Sequence, residues 1–142
     1  MDMMVVNTQT LKDNPALGKA LTGAWFEVVA LMNAKSAESS KALEHMAKAS
    51  GTDLAGFQSQ LDTTKLFATP KEALEFATSQ QLPSTMRKVA DFSFEHGLLG
   101  EGAKDSSAVG MTFANSVTEG DKGNLKLHFD PSYVQMAADG KL

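Results

Sequence analysis

Leu17, Leu21, Ala24, Val28 and Leu31, with Met32 beside the last, recur at steps of three and four residues. That spacing lines one face of an α-helix. Asn14 ahead of the run can cap and Pro15 suits the first helical position, so a long helix is predicted from Asn14 onward. Gly18 and Gly23 inside it each cost about 1 kcal/mol relative to Ala, which predicts a tight packing contact against a closely approaching backbone. A second helix is predicted from about Ser36 to Ala49, with Leu43, Met46 and Ala47 inward and Gly51 ending it. Thr52 then reads as the cap of a third helix carrying Leu54, Phe57 and Leu61. The run Thr69-Pro70-Lys71-Glu72 is the clearest start signal: a Thr cap, Pro at the first position and a Glu that reaches back to the cap. That helix is expected to bury Ala73, Phe76 and Ala77. Another, opened by Pro83 and Ser84, is expected to bury Met86, Val89 and Ala90, with Phe92 or Phe94 beyond, and to stop at Gly97.

Elsewhere the pattern is extended. Met3 to Val6 is a short apolar run closed by Asn7 and reads as a doubly buried strand in need of a partner. From Gly97 to Gly123 the chain holds six of its 11 glycines, so helix gives way to turns. Val109 to Phe113 is a candidate strand, and Asn124 to Phe129 a better one, because Leu125, Leu127 and Phe129 alternate with Lys126 and His128. Asp130-Pro131 opens a last helix with Tyr133, Val134 and Met136. The expected fold is α/β and helix-rich, with about six helices and two or three short strands. No linker divides residues 1–142, so a single domain is expected.

Composition narrows the function. The chain has 142 residues, no cysteine and a net charge of −4 with interspersed signs. Disulfides and thiolate metal sites are excluded, and tight sequence-independent nucleic-acid binding is not expected. No apolar run reaches the roughly 18–20 residues of a membrane span. Met1-Asp2 and the residues after them show no basic, apolar export signal.

The three histidines, His45, His96 and His128, lack a second ligand at helical metal-site spacing, and no metal or cofactor is expected. His96 reads as a partner of its helix's C-terminal dipole. There is no glycine-flanked serine elbow, and Gly97 to Gly102 lacks the Lys-Ser/Thr of a phosphate loop. The expectation is a protein that is not an enzyme. Trp25 lies to one side of the apolar stripe, where its ring could line a ligand cleft or simply pack.

Four stretches carry a resemblance: Asn14-Pro15-Ala16-Leu17-Gly18-Lys19-Ala20-Leu21 with Gly23-Ala24-Trp25-Phe26-Glu27, then ATPKEA, FSFEHGLLGEGA, and the ending GDKGNLKLHFDPSYVQMAADGKL. Together they resemble the C-terminal part of a periplasmic substrate-binding protein of an ABC transporter. The similar branch is the nitrate/sulfonate/taurine type, in particular urea-type members associated with urea carboxylase operons. The resemblance implies a segment of a type 2 periplasmic binding protein fold, whose two α/β lobes hold a solute between them. It further implies a periplasmic parent that passes a small nitrogen-containing solute, such as urea or guanidinium, to a membrane permease. Asn7 and Thr8, at the end of the first expected strand, are the implied ligand-binding positions, with Trp25 as a third candidate. A lobe without its sheet partners exposes apolar faces and strand edges, so self-association is expected. The alternative is a stand-alone helical interaction module without a small-molecule ligand.

Overall fold

The computed structural model describes residues 3–142; the reading of Met1-Asp2 at the head of the chain lies outside them. The fold is helix-rich with one small sheet. Its elements are α1 (Thr8–Asp13), α2 (Pro15–Asn33), α3 (Ala37–Ala49), α4 (Leu54–Asp62), α5 (Pro70–Ala77), α6 (Gln81–Glu95), β1 (Gly110–Thr112), a 3-10 turn (Ala114–Ser116), β2 (Thr118–Glu119), β3 (Leu125–His128) and α7 (Ser132–Ala138). They form two compact units, one of residues 1–73 with 133–142 and the other of residues 74–132.

In the first unit the cap chemistry follows the sequence closely. Ser36 Oγ accepts the Ser39 N–H at 3.1 Å and opens α3, and Gly51 leaves it with φ +73°, a conformation that costs glycine little. Glu72 Oε2 accepts the Thr69 N–H at 3.3 Å while Thr69 Oγ1 accepts the Glu72 N–H at 3.2 Å. This reciprocal pair is the capping box of α5. At α4 the expectation needs correcting: Asp53, not Thr52, is the cap, its carboxylate accepting the Gly56 N–H at 2.8 Å. A carboxylate is the better acceptor at a helix N-terminus, where the macrodipole favours negative charge.

The expected strand at Met3 to Val6 is not formed. No other strand lies beside it among the described residues, and Asn7 instead caps α1, a helix the apolar pattern did not announce. Met3, Met4 and Val5 are exposed, Val5 to 70%. Without a neighbouring backbone, a strand's N–H and C=O groups have no ladder to join, and water serves them instead.

Along α2 the inward face is turned from the one expected. Gly18 and Val29 are buried, whereas Ala24, Trp25, Val28 and Leu31 are exposed. The helix is apolar on two faces, and α1 and α3 pack against it without covering both. Ala47 and Ser39 of α3 are also buried, and the Ser39 hydroxyl is satisfied by the Met32 carbonyl at 3.4 Å. The tight contact expected at Gly18 is present, but a side chain makes it: a Cβ there would collide with the Tyr133 ring of α7. Gly23 meets only Leu142 Cδ1, at an ordinary 3.7 Å.

The second unit is built on α6 and the sheet. α6 begins at Gln81, two residues before the expected Pro83; proline sits comfortably in a first turn, where its missing N–H would have had no helical partner. Leu82 and Met86 of α6, Met111 of β1 and Phe113 form the core, with Phe76, Ala90, Leu127 and Phe129 half-buried around it. Phe113 and Phe129 stack with centroids 4.6 Å apart. Val89, expected inward, is exposed, and so are both Phe92, to 55%, and Phe94, one of which is expected to join it. The sheet order is β2-β1-β3, antiparallel between β1 and β2 and parallel between β1 and β3. Gly110 must be glycine, because a Cβ would strike the Asp121 carbonyl.

Candidate functional site

The second unit carries a cleft of about 220 Å³ lined by Arg87, Ala90 and Asp91 of α6, by Ser106 and Ser107 of the following loop, by Met111 of β1, and by Glu119 and Gly120 at β2. Arg87 and Asp91 share a helix face because they stand four residues apart. Arg87 is the only arginine in the chain. Its guanidinium donates to the Glu119 carboxylate, which is 17% exposed against 65% for the arginine side chain. The pair ties α6 to β2 across one wall of the cleft.

The opposite rim is set by a short turn. Asp105 Oδ1 accepts both the Ser107 hydroxyl at 2.6 Å and the Ser107 N–H at 2.8 Å. Those two donors, the hydroxyl first, hold the Asp105 carboxyl below the usual carboxylate range. The Ser107 carbonyl in turn accepts the Asp121 N–H at 2.8 Å, so the loop is anchored beyond β2. Gly120, at φ +74°, lies so close to the Val109 carbonyl that no side chain fits. The cleft thus offers a guanidinium, two carboxylates and two hydroxyls over a methionine floor. That set suits hydrogen bonding to a small polar solute. The cleft lining contains no imidazole, and Ser107 gives its proton to a carboxylate already engaged in a turn, so the rim is a structural anchor.

The sequence-nominated positions lie in the other unit. Asn7 Oδ1 accepts the N–H groups of Gln9 at 2.9 Å and Thr10 at 3.1 Å, so its oxygen is committed to capping α1. Thr8 is the first residue of α1 and is exposed. Trp25 stands in α2, 47% exposed. None of the three lines the cleft. His96 places Nδ1 2.9 Å from the Phe92 carbonyl with its ring stacked on Phe92 at 4.0 Å, and His128 Nδ1 lies 2.8 Å from Thr112 Oγ1. Among the described residues no group of three or more His, Asp or Glu gathers to hold a metal ion, and no helix is long and apolar enough to cross a membrane.

Sequence reading passed over Arg87, Asp91, Ser106, Ser107 and Glu119. The single arginine was the one signal available for them; its partner lies 32 positions away in a glycine-rich stretch without periodicity. Comparison with protein-family models, with curated proteins and with solved structures gives no match to this chain.

Proposed function

We propose that this chain is part of a non-catalytic solute-binding component of an ABC importer, carrying a C-terminal segment of the type 2 periplasmic binding protein fold. The observation that carries the reading is the likeness running through residues 14–27, ATPKEA, FSFEHGLLGEGA and the last 23 residues. The exposed apolar surface supports it: Met3 to Val5 and the Trp25, Val28 and Leu31 face of α2 suit a lobe whose sheet is completed by other chain segments. On this reading the parent is periplasmic, closes two lobes around a small nitrogen-containing solute such as urea or guanidinium, and presents it to a membrane permease. Asn7, Thr8 and Trp25 are the ligand-facing candidates. A half-site lacks the opposing wall that completes hydrogen bonds and excludes water, so most of the affinity belongs to the parent.

The test is thermal shift and calorimetry with urea, guanidinium, taurine and nitrate, on this chain and on the chain extended by whatever in-frame sequence precedes Met1 in its source genome. One solute at a hundredfold excess over its Kd should stabilise the extended protein by about 2.7 kcal/mol, with little effect on the shorter chain. An extended protein indifferent to all four would overturn the reading. A second reading, a stand-alone helical interaction module, takes the same exposed Trp25, Val28 and Leu31 face as a partner-binding surface. A stop codon directly upstream of the Met1 codon would support it against the first.

A further inference from the structure

We infer that the open edge of β3 receives the Met3 to Val6 segment of a second copy of this chain. Two unsatisfied halves of a β-ladder exist in one molecule. The donor half is the run Met-Met-Val-Val, apolar and β-branched at its end, exposed at Met3, Met4 and Val5, and joined to no strand. The acceptor half is β3, which pairs with β1 on one side only and stands at the sheet's edge.

Their dimensions agree: four residues in the donor and four in β3. Their chemistry agrees as well. β3 alternates Leu125 and Leu127 with Lys126 and His128, and Leu125 is exposed. An arriving strand of alternating side chains sets Met or Val beside those leucines. The devices that usually blunt an edge are nearly absent, since β3 contains no proline and Lys126 is its single lysine.

A second copy is the occupant because each copy carries both halves. Reciprocal exchange leaves neither half over and closes with two-fold symmetry. The inference uses no ligand position and concerns this chain by itself; the solute-binding reading gives the same Met3 to Val5 segment to other parts of a longer parent, so in that parent the exchange would be pre-empted.

The test is light scattering with amide hydrogen exchange on the full chain, wild type and Val5→Pro. Proline removes a ladder donor at a position 70% exposed, so folding is little disturbed. Wild type should run as a dimer whose mass falls on dilution, with the Lys126 and His128 amides, which face away from β1, protected. Val5→Pro should run as a monomer, with those amides exchanging at least about tenfold faster. Isotope-labelled Val5→Pro retains an intact edge, so mixing it with unlabelled wild type should restore protection in the labelled chain. A wild type monomeric at every concentration overturns the inference. So does a dimer that survives Val5→Pro, which would place the interface elsewhere, such as the Trp25 face. Protection that persists in a monomer would mean pairing within one chain and equally refutes it.

Discussion

Gly18→Ala sets two well-characterised effects against each other at one atom. In an exposed helix interior the change stabilises by about 1 kcal/mol, through helix propensity. Here a Cβ at residue 18 would overlap three atoms of the Tyr133 ring, and Gly18 is buried. The ring must swing outward or the helices must part. Forcing a methyl group into a packed site costs about 1–3 kcal/mol, which exceeds the propensity gain over most of its range. The expected outcome is net destabilisation of about 1 kcal/mol and a midpoint lower by several degrees, roughly 4–8 °C for a cooperative unit of this size. Trp25 is the only tryptophan and lies on the same helix, so its fluorescence in urea follows this unit specifically. The decisive comparison is the same substitution in a Tyr133→Leu background. With the ring gone, Gly18→Ala should become neutral or stabilising, giving a coupling of about 1 kcal/mol or more. If Gly18→Ala stabilises the wild type by the full propensity increment, the ring is not over residue 18 and the packing of α7 on α2 is wrong.

Met86→Ala should cost about 2–5 kcal/mol, since it empties the centre of the second unit's core; urea denaturation followed by circular dichroism measures it. Thr69→Ala removes the hydroxyl that accepts the Glu72 N–H and should cost about 1 kcal/mol, read the same way. Ser107→Ala removes the main donor to Asp105, so the Asp105 carboxyl should titrate closer to its ordinary 3.8, as NMR titration would show. The sign follows from linkage: a depressed carboxyl pKa contributes stability above its unfolded value, and that contribution fades as pH falls through the folded one. The variant should therefore be the less stable protein near neutral pH, and the gap between it and wild type should close as pH falls through the wild-type Asp105 titration, which leaves the variant with the shallower acid limb.

The parts of the fold legible in sequence were those set locally. Thr69 and Glu72 are three residues apart, and their capping box forms within one turn. Leu125 and Leu127 alternate, and a strand follows. What escaped depended on distant partners. Met3 to Val6 has the composition of a buried strand, but strand formation needs a second backbone, which local pattern cannot supply. In α6 the apolar residues occupy two faces, one through Leu82, Met86 and Ala90 and one through Val89 and Phe92. Only the sheet's position chose between them. Asn7 was nominated for a ligand by its place after an expected strand, yet its oxygen is taken by a helix whose start the pattern did not mark. The cleft was invisible for the same reason, since the ion pair across it joins residues 87 and 119.

The glycines beside β1 carry a consequence for sequence variation. Gly110 is closed by the Asp121 carbonyl and Gly120 by the Val109 carbonyl, so each position is blocked by the backbone next to the other. Neither carbonyl can swing away as a side-chain tip might, and Gly120 also holds a positive φ. Drift at one position cannot be rescued by drift at its neighbour. Gly102 has neither constraint, with open space around it and no positive φ. Relatives that keep this sheet should retain glycine at 110 and 120 as an inseparable pair, while position 102 wanders freely.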